Sequence, residues 1–173
     1  MKGVIATCLR DMVMTKFGKD KWEEALAAAG FEKNASFLVT QDIEDATVFK
    51  LLEAARRVLG LTADQAADAF GEYWVCTYAA KIYKPYFQAA ASAKEFLLNM
   101  DEVHRITTEN IPNARPPRFE YAWQDSKTLL MKYKSQRNLI DLLAALVKGV
   151  GKHFKENLRV TKQSGDTLKI VFP

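Results

Sequence analysis

The chain has 173 residues, 49% hydrophobic and 27% charged, which suits one domain spanning 1–173 and excludes disordered and fibrous classes. No stretch approaches the ~20 apolar residues of a membrane span. The apolar run 4–9 is cut short by Arg10 and Asp11, too short and polar for a signal peptide. A cytoplasmic protein without membrane insertion is therefore expected. Its two cysteines, Cys8 and Cys76, are read as reduced thiols rather than a disulfide.

The first two-thirds of the chain is helical in pattern. Apolar positions recur at helical spacing over about 2–17 and 19–29, with Gly18 and Gly30 as stops. Asp42, with Asp45 three residues on, is expected to open the next helix, and Gly60 to close it. Thr62 with Gln65 forms a capping box, and Ser92 with Glu95 forms a second. The helix opened by Ser92 runs to about Asn110, where Pro112 stops it. Pro116 and Pro117 then mark a break. Strands are expected over 119–123 and 128–135, joined by a turn at 124–126. A helix over about 138–156 follows, with an apolar stripe of Leu139, Leu142, Leu143, Leu146, Val150 and Phe154. Two short strands flank Ser164 and Gly165. The expected class is α+β: a helical part, then an antiparallel sheet with one helix inserted.

The net charge of +4 is uneven, since residues 127–169 hold ten Lys/Arg and three acids. Such a stretch is read as a solvated face or docking surface, and no nucleic-acid partner is expected. HExxH, GxSxG and Walker-type loops are missing. Glu23 with Glu24 and Asp101 with Glu102 are read as helix surface.

Two constellations could carry chemistry. His104 borders a largely apolar stripe with Phe96, Leu97, Met100 and Val103. Read alone, that helix allows either a core histidine bonded to a backbone carbonyl or a ligand. His153, between Lys152 and Phe154 late in its helix, is given no ligand role. The second constellation is the strand face Leu129, Met131, Tyr133, Ser135, Arg137, which passes from apolar groups to three donors. It suits a ligand with an apolar body and an anionic edge, because a guanidinium grips a carboxylate bidentately and two hydroxyls add donors. An ordinary exposed strand end is the other reading of the same residues.

The order of these features resembles the H-NOX family, the heme nitric oxide/oxygen binding domains related to the heme domain of soluble guanylate cyclase. Asp-Glu-Val-His at 101–104, Pro-Pro at 116–117 and Tyr-x-Ser-x-Arg at 133–137 carry the resemblance. Met-Lys-Gly-Val-Ile at the start, Phe-Gly-Glu-Tyr-Trp at 70–74 and Gly-x-Gly-Lys at 149–152 extend it over nearly the whole chain.

The resemblance implies heme b between the helical part and the sheet. His104 corresponds to the single protein ligand to the iron, and Tyr133, Ser135 and Arg137 to a clamp on the heme carboxylates. Ile5 and Pro117 match positions that press on the porphyrin, and Met100 joins the residues expected at the heme. Leu142 falls where oxygen-binding members carry a tyrosine donor, so nitric oxide, with carbon monoxide as surrogate, is the implied ligand. Trp74 and Tyr78 match positions bordering the gas pocket, and either could supply a donor to oxygen.

The expected function is a non-catalytic sensor signalling to a separate protein, a histidine kinase or a cyclic-di-GMP enzyme. The alternatives are an oxygen sensor on the same fold, a peroxidase-like heme enzyme and a heme-free basic interaction module. The peroxidase would need a distal acid–base residue, and none is assignable.

Overall fold

The computed structural model describes residues 3–173, so Met1 and Lys2 of the opening motif lie outside the described residues. Two compact units divide the chain between Ala66 and Ala67. Among the described residues no helix is long and apolar enough to cross a membrane.

The first unit holds α1 (Val4–Phe17), α2 (Lys19–Ala28), α3 (Asp45–Val58) and the start of α4 (Ala63–Tyr73). Its core includes Cys8, Leu9, Met12 and Val13 from α1, Trp22 and Leu26 from α2, and Val48 and Leu51 from α3. Gly18, at φ 92°, separates α1 from α2 without a loop, a backbone shape that disfavours any side chain. The helix expected from Asp42 begins three residues later, at Asp45. Glu44 stands at its N-cap with ψ 137° and makes no side-chain cap bond. Gly60 closes the helix at φ 64°, with the Leu61 amide donating back to the Arg56 carbonyl. The Thr62 and Gln65 box forms as read: each side chain accepts from the other's amide, at 3.2 and 2.9 Å.

The second unit contains the rest of α4, a π-helical turn (Trp74–Ala79), α5 (Ala80–Ile82), α6 (Lys84–Gln88), α7 (Ala93–Leu98), α8 (Met100–Thr108) and α9 (Ile140–Phe154). Strands β1 (Arg118–Trp123), β2 (Thr128–Lys134), β3 (Arg159–Ser164) and β4 (Thr167–Val171) form one antiparallel sheet in the order β1-β2-β4-β3. The chain is thus α+β, with α9 inserted between β2 and β3.

The single helix expected over about 92–110 is interrupted at Asn99, which makes α7 and α8 separate helices. Ser92 caps α7 by accepting from the Glu95 amide at 3.2 Å. The Glu95 carboxylate bonds the Ala91 amide, while Glu156, beyond the end of α9, takes the Ala93 amide at 2.9 Å.

Helix α9 is buried on two faces, and the sequence stripe foresaw one. Leu143 and Val150 of that stripe join the buried core of the second unit, and so does Val147, which the stripe did not include. On the opposite side lie Ala145 and Gly149, also buried. There α4 comes so close that a Cβ on Gly71 would sit 2.6 Å from the Ala145 carbonyl carbon. A Cβ on Gly149 would sit 2.8 Å from the Gly71 oxygen. Two backbones therefore touch where the two glycine-containing motifs meet. Lys148 with Asp68 and Lys152 with Glu72 flank the crossing as ion pairs, so part of the basic stretch is spent within the fold.

Candidate functional site

His104 lies in the second turn of α8, and β1 holds both that helix and the end of α7 before it. Asp101, one turn earlier, receives both the Nε and Nη2 of Arg118, at 2.8 and 2.6 Å, and the Phe119 amide at 2.9 Å. The Arg118 bond holds the Asp101 carboxyl down to about 2, so it stays an acceptor. Tyr121 donates its hydroxyl to the Leu97 carbonyl at 2.7 Å. Asp101 is therefore not a surface acid as the sequence suggested. Glu102 is one, paired with Arg105 on the exposed side.

The His104 ring packs 5.4 Å from the Phe119 ring, and Phe119 packs 6.1 Å from Tyr133. Phe119 and Tyr133 are partners across the β1–β2 ladder, so the sheet register links His104 to the donor strand. The Nδ1 of His104 is buried and has no hydrogen-bond partner. Burial pushes the imidazole down to about 4, against the opposing pull of Asp101, so the ring is neutral near pH 7. Met100 is half-buried and packs on the core of this unit.

The clamp residues are not all on a strand. β2 ends at Lys134, one residue short of the expected limit, and a turn follows at 136–137. The cause is local: the Arg137 amide donates to the Ser135 hydroxyl oxygen at 3.3 Å, and Asn138 turns left-handed at φ 50°. The alternation of exposure nevertheless continues past the ladder. Tyr133 is buried and Ser135 and Arg137 half-buried, while Lys134, Gln136 and Asn138 are exposed. A cleft of about 570 Å³ takes in Tyr133 and Ser135 along with Lys134, Asn138, Ile140, Gly165 and Asp166. His104, Met100, Leu142, Trp74 and Tyr78 are not among its lining residues. Arg137 reaches elsewhere, donating Nη1 to the Arg115 carbonyl at 2.7 Å, just before Pro116 and the half-buried Pro117.

Trp74 and Tyr78 stand on the π-helical turn as a stack. Trp74 is 6.1 Å from Phe70 on one side and 5.7 Å from Tyr78 on the other. Leu142 is half-buried in the first turn of α9. Ile5 is half-buried on α1, in the first unit. His153 lies in the last turn of α9, its ring 4.8 Å from Phe87. Both cysteines are free thiols. Asp101, Phe119 and Arg115 were missed by the sequence reading. Asp101 stood inside the quoted Asp-Glu-Val-His motif, but nothing local distinguished it from Glu102.

The family model for haem-NO-binding proteins matches residues 2–162. Soluble guanylate cyclase gcy-34 of Caenorhabditis elegans is 29% identical over 157 residues, 88% of this chain. The chain spans only 23% of that relative's length. An oxygen-binding H-NOX domain related to soluble guanylate cyclases superposes with a TM-score of 0.82 at 25% identity, over 99% of this chain and 95% of that one. A variant H-NOX from T. tengcongensis gives 0.84 at 25% identity, over 99% and 97%. The chain belongs to the haem-NO-binding family, the heme-based H-NOX gas-sensor domains. A domain of this family senses and is not itself catalytic.

Proposed function

We propose that residues 1–173 act as one cytoplasmic sensor domain that holds heme b and responds to nitric oxide. The observation that carries this reading is the His104 ring. A buried, neutral imidazole with an unpartnered nitrogen is costly in an ordinary core, where such groups are hydrogen-bonded. It is what a metal ligand presents. His104 would hold the iron, and Tyr133, Ser135 and Arg137 the heme carboxylates. When bound, the heme supplies a ferrous iron that takes a diatomic gas.

The protein's own groups do the rest. Asp101 keeps α8 on β1, and Tyr121 keeps α7 there, so a displacement at His104 is felt at the start of the sheet. Met100 and Pro117 supply apolar contact to the porphyrin. Leu142, Trp74 and Tyr78 border the gas, and Leu142 offers it no donor. The output is contact with a separate effector, a histidine kinase or a cyclic-di-GMP enzyme. The deciding experiment is the visible spectrum of the purified, reduced protein with and without nitric oxide. A heme band that shifts with the gas supports the reading. A colourless protein that takes up no added heme leaves the basic interaction module.

The clamp makes a graded prediction. A charge-assisted bond to a carboxylate contributes about 1.5–3 kcal/mol and a neutral hydroxyl bond about 1 kcal/mol. Arg137→Ala should therefore speed heme transfer to apomyoglobin by ~10–100-fold, and Ser135→Ala by about fivefold. Equal transfer rates for both variants and the parent would remove residues 133–137 from the heme site.

A further inference from the structure

The chain from Asp101 to Arg118 forms a loop closed at its base. Asp101 binds the Arg118 side chain and the Phe119 amide across that span. Within the loop lie His104, the rest of α8 and a connector, 109–117, that has no regular secondary structure. Turn bonds run within the connector from the Ile111 amide to the Thr108 carbonyl at 3.0 Å and from the Ala114 amide to the Ile111 carbonyl at 3.2 Å. Its three prolines, Pro112, Pro116 and Pro117, have no amide to donate. Arg137, just beyond the end of β2, reaches this connector from outside the loop. Arg137 donates Nη1 to the Arg115 carbonyl at 2.7 Å, 22 residues away in sequence.

We propose that Arg137 is a latch on the connector, so that the side chain offered to the heme carboxylates also fixes the exit of the His104 helix. The inference rests on the reading of Arg137 as a carboxylate clamp only for its second half. The latch itself is a protein–protein bond. The guanidinium suits both tasks, because its five N–H groups lie in one rigid plane and can serve a carbonyl and a carboxylate from different edges. The turn that presents it is also built: the Ser135 hydroxyl accepts the Arg137 amide, and Tyr133, at the root of the turn, donates its own amide to the Asp166 carbonyl at 2.7 Å. A ligand that engages Arg137 would thereby alter the freedom of the segment leaving His104, without touching that segment.

The test is amide hydrogen exchange on the protein as purified, read at Ile111, Ala114 and their neighbours. In Arg137→Ala these amides should exchange about tenfold faster, the loss of one charged hydrogen bond. Met131 in β2 and Ile170 in β4 should keep the parent rates, which separates a local release from general destabilisation. Connector amides that exchange at the parent rate would overturn the latch, whatever happens to heme retention. Faster connector exchange with unchanged heme retention would keep the latch and sink the clamp. If the alanine variant does not fold, the parent protein decides. An Arg137 guanidinium N–H protected from solvent, with scalar coupling to the Arg115 carbonyl carbon, supports the bond, and a freely exchanging guanidinium overturns it.

Discussion

Replacing His104 by glycine will strip the protein of heme, and imidazole added to the medium will bring the heme back. Loss of an outer-shell partner costs a metal site ~10–100-fold in affinity, and loss of the only protein ligand should exceed that. Glycine in a helix interior also costs about 1 kcal/mol, but that loss is not repaired by a small molecule. Imidazole rescue therefore separates a missing ligand from a weakened fold. Heme content and the ferrous spectrum, with and without imidazole, are the measurements. A glycine variant with parental heme content and an unchanged ferrous spectrum would return His104 to the core. The alternative histidine is poorly placed, since His153 packs against Phe87 and Phe154 in the last turn of α9.

The second large effect is gas discrimination. Oxygen at a ferrous heme gains from a nearby hydrogen-bond donor, and nitric oxide binds strongly without one. With leucine at position 142, the reduced protein should bind nitric oxide and carbon monoxide yet form no lasting oxygen complex in air. Leu142→Tyr adds one phenolic donor. A neutral bond of about 1–1.5 kcal/mol strengthens oxygen binding by roughly tenfold. On the proposed reading that Trp74 and Tyr78 border the gas with Leu142, the two aromatics limit what that hydroxyl gains by competing for the same space. The decisive measurement is thus on the unsubstituted protein. A long-lived oxygen spectrum in air would refute the leucine argument, and Trp74→Phe and Tyr78→Phe would then identify the donor.

The features that were legible in the sequence are those written in local periodicity. Gly18, Gly60, the Thr62 and Gln65 box and the position of α9 between two hairpins all follow from neighbours within a few residues. Family membership was legible from the order of His104, Pro116 and Pro117, and 133–137. What was not legible depends on partners far along the chain. The small residues Ala145 and Gly149 carry little hydrophobic signal, so the second buried face of α9 needed Gly71 opposite to give it meaning. Asp101 looks like Glu102 until Arg118 and Phe119 arrive beside it. The strand limit at Lys134 was missed for a different reason. Ser135 can extend a ladder or fold the chain onto its own hydroxyl, and only the second choice places Arg137 over Arg115.

The π-helical turn at Trp74–Ala79 has a consequence for how this chain tolerates change in length. A π turn is a stretch of α-helix carrying one surplus residue. Deleting a residue elsewhere in a helix rotates everything beyond it by about 100° and buries the wrong face. Deleting one here lets the turn relax to ordinary α geometry, so the helix beyond it keeps its register. The cost falls on the turn itself, where Trp74 and Tyr78 would lose the spacing that sets their rings together and Val75 and Cys76 would shift against Gly149. Along α4 and the helices that follow it, this is where natural variation in length is expected to concentrate, and where a gain or loss of one residue is absorbed locally.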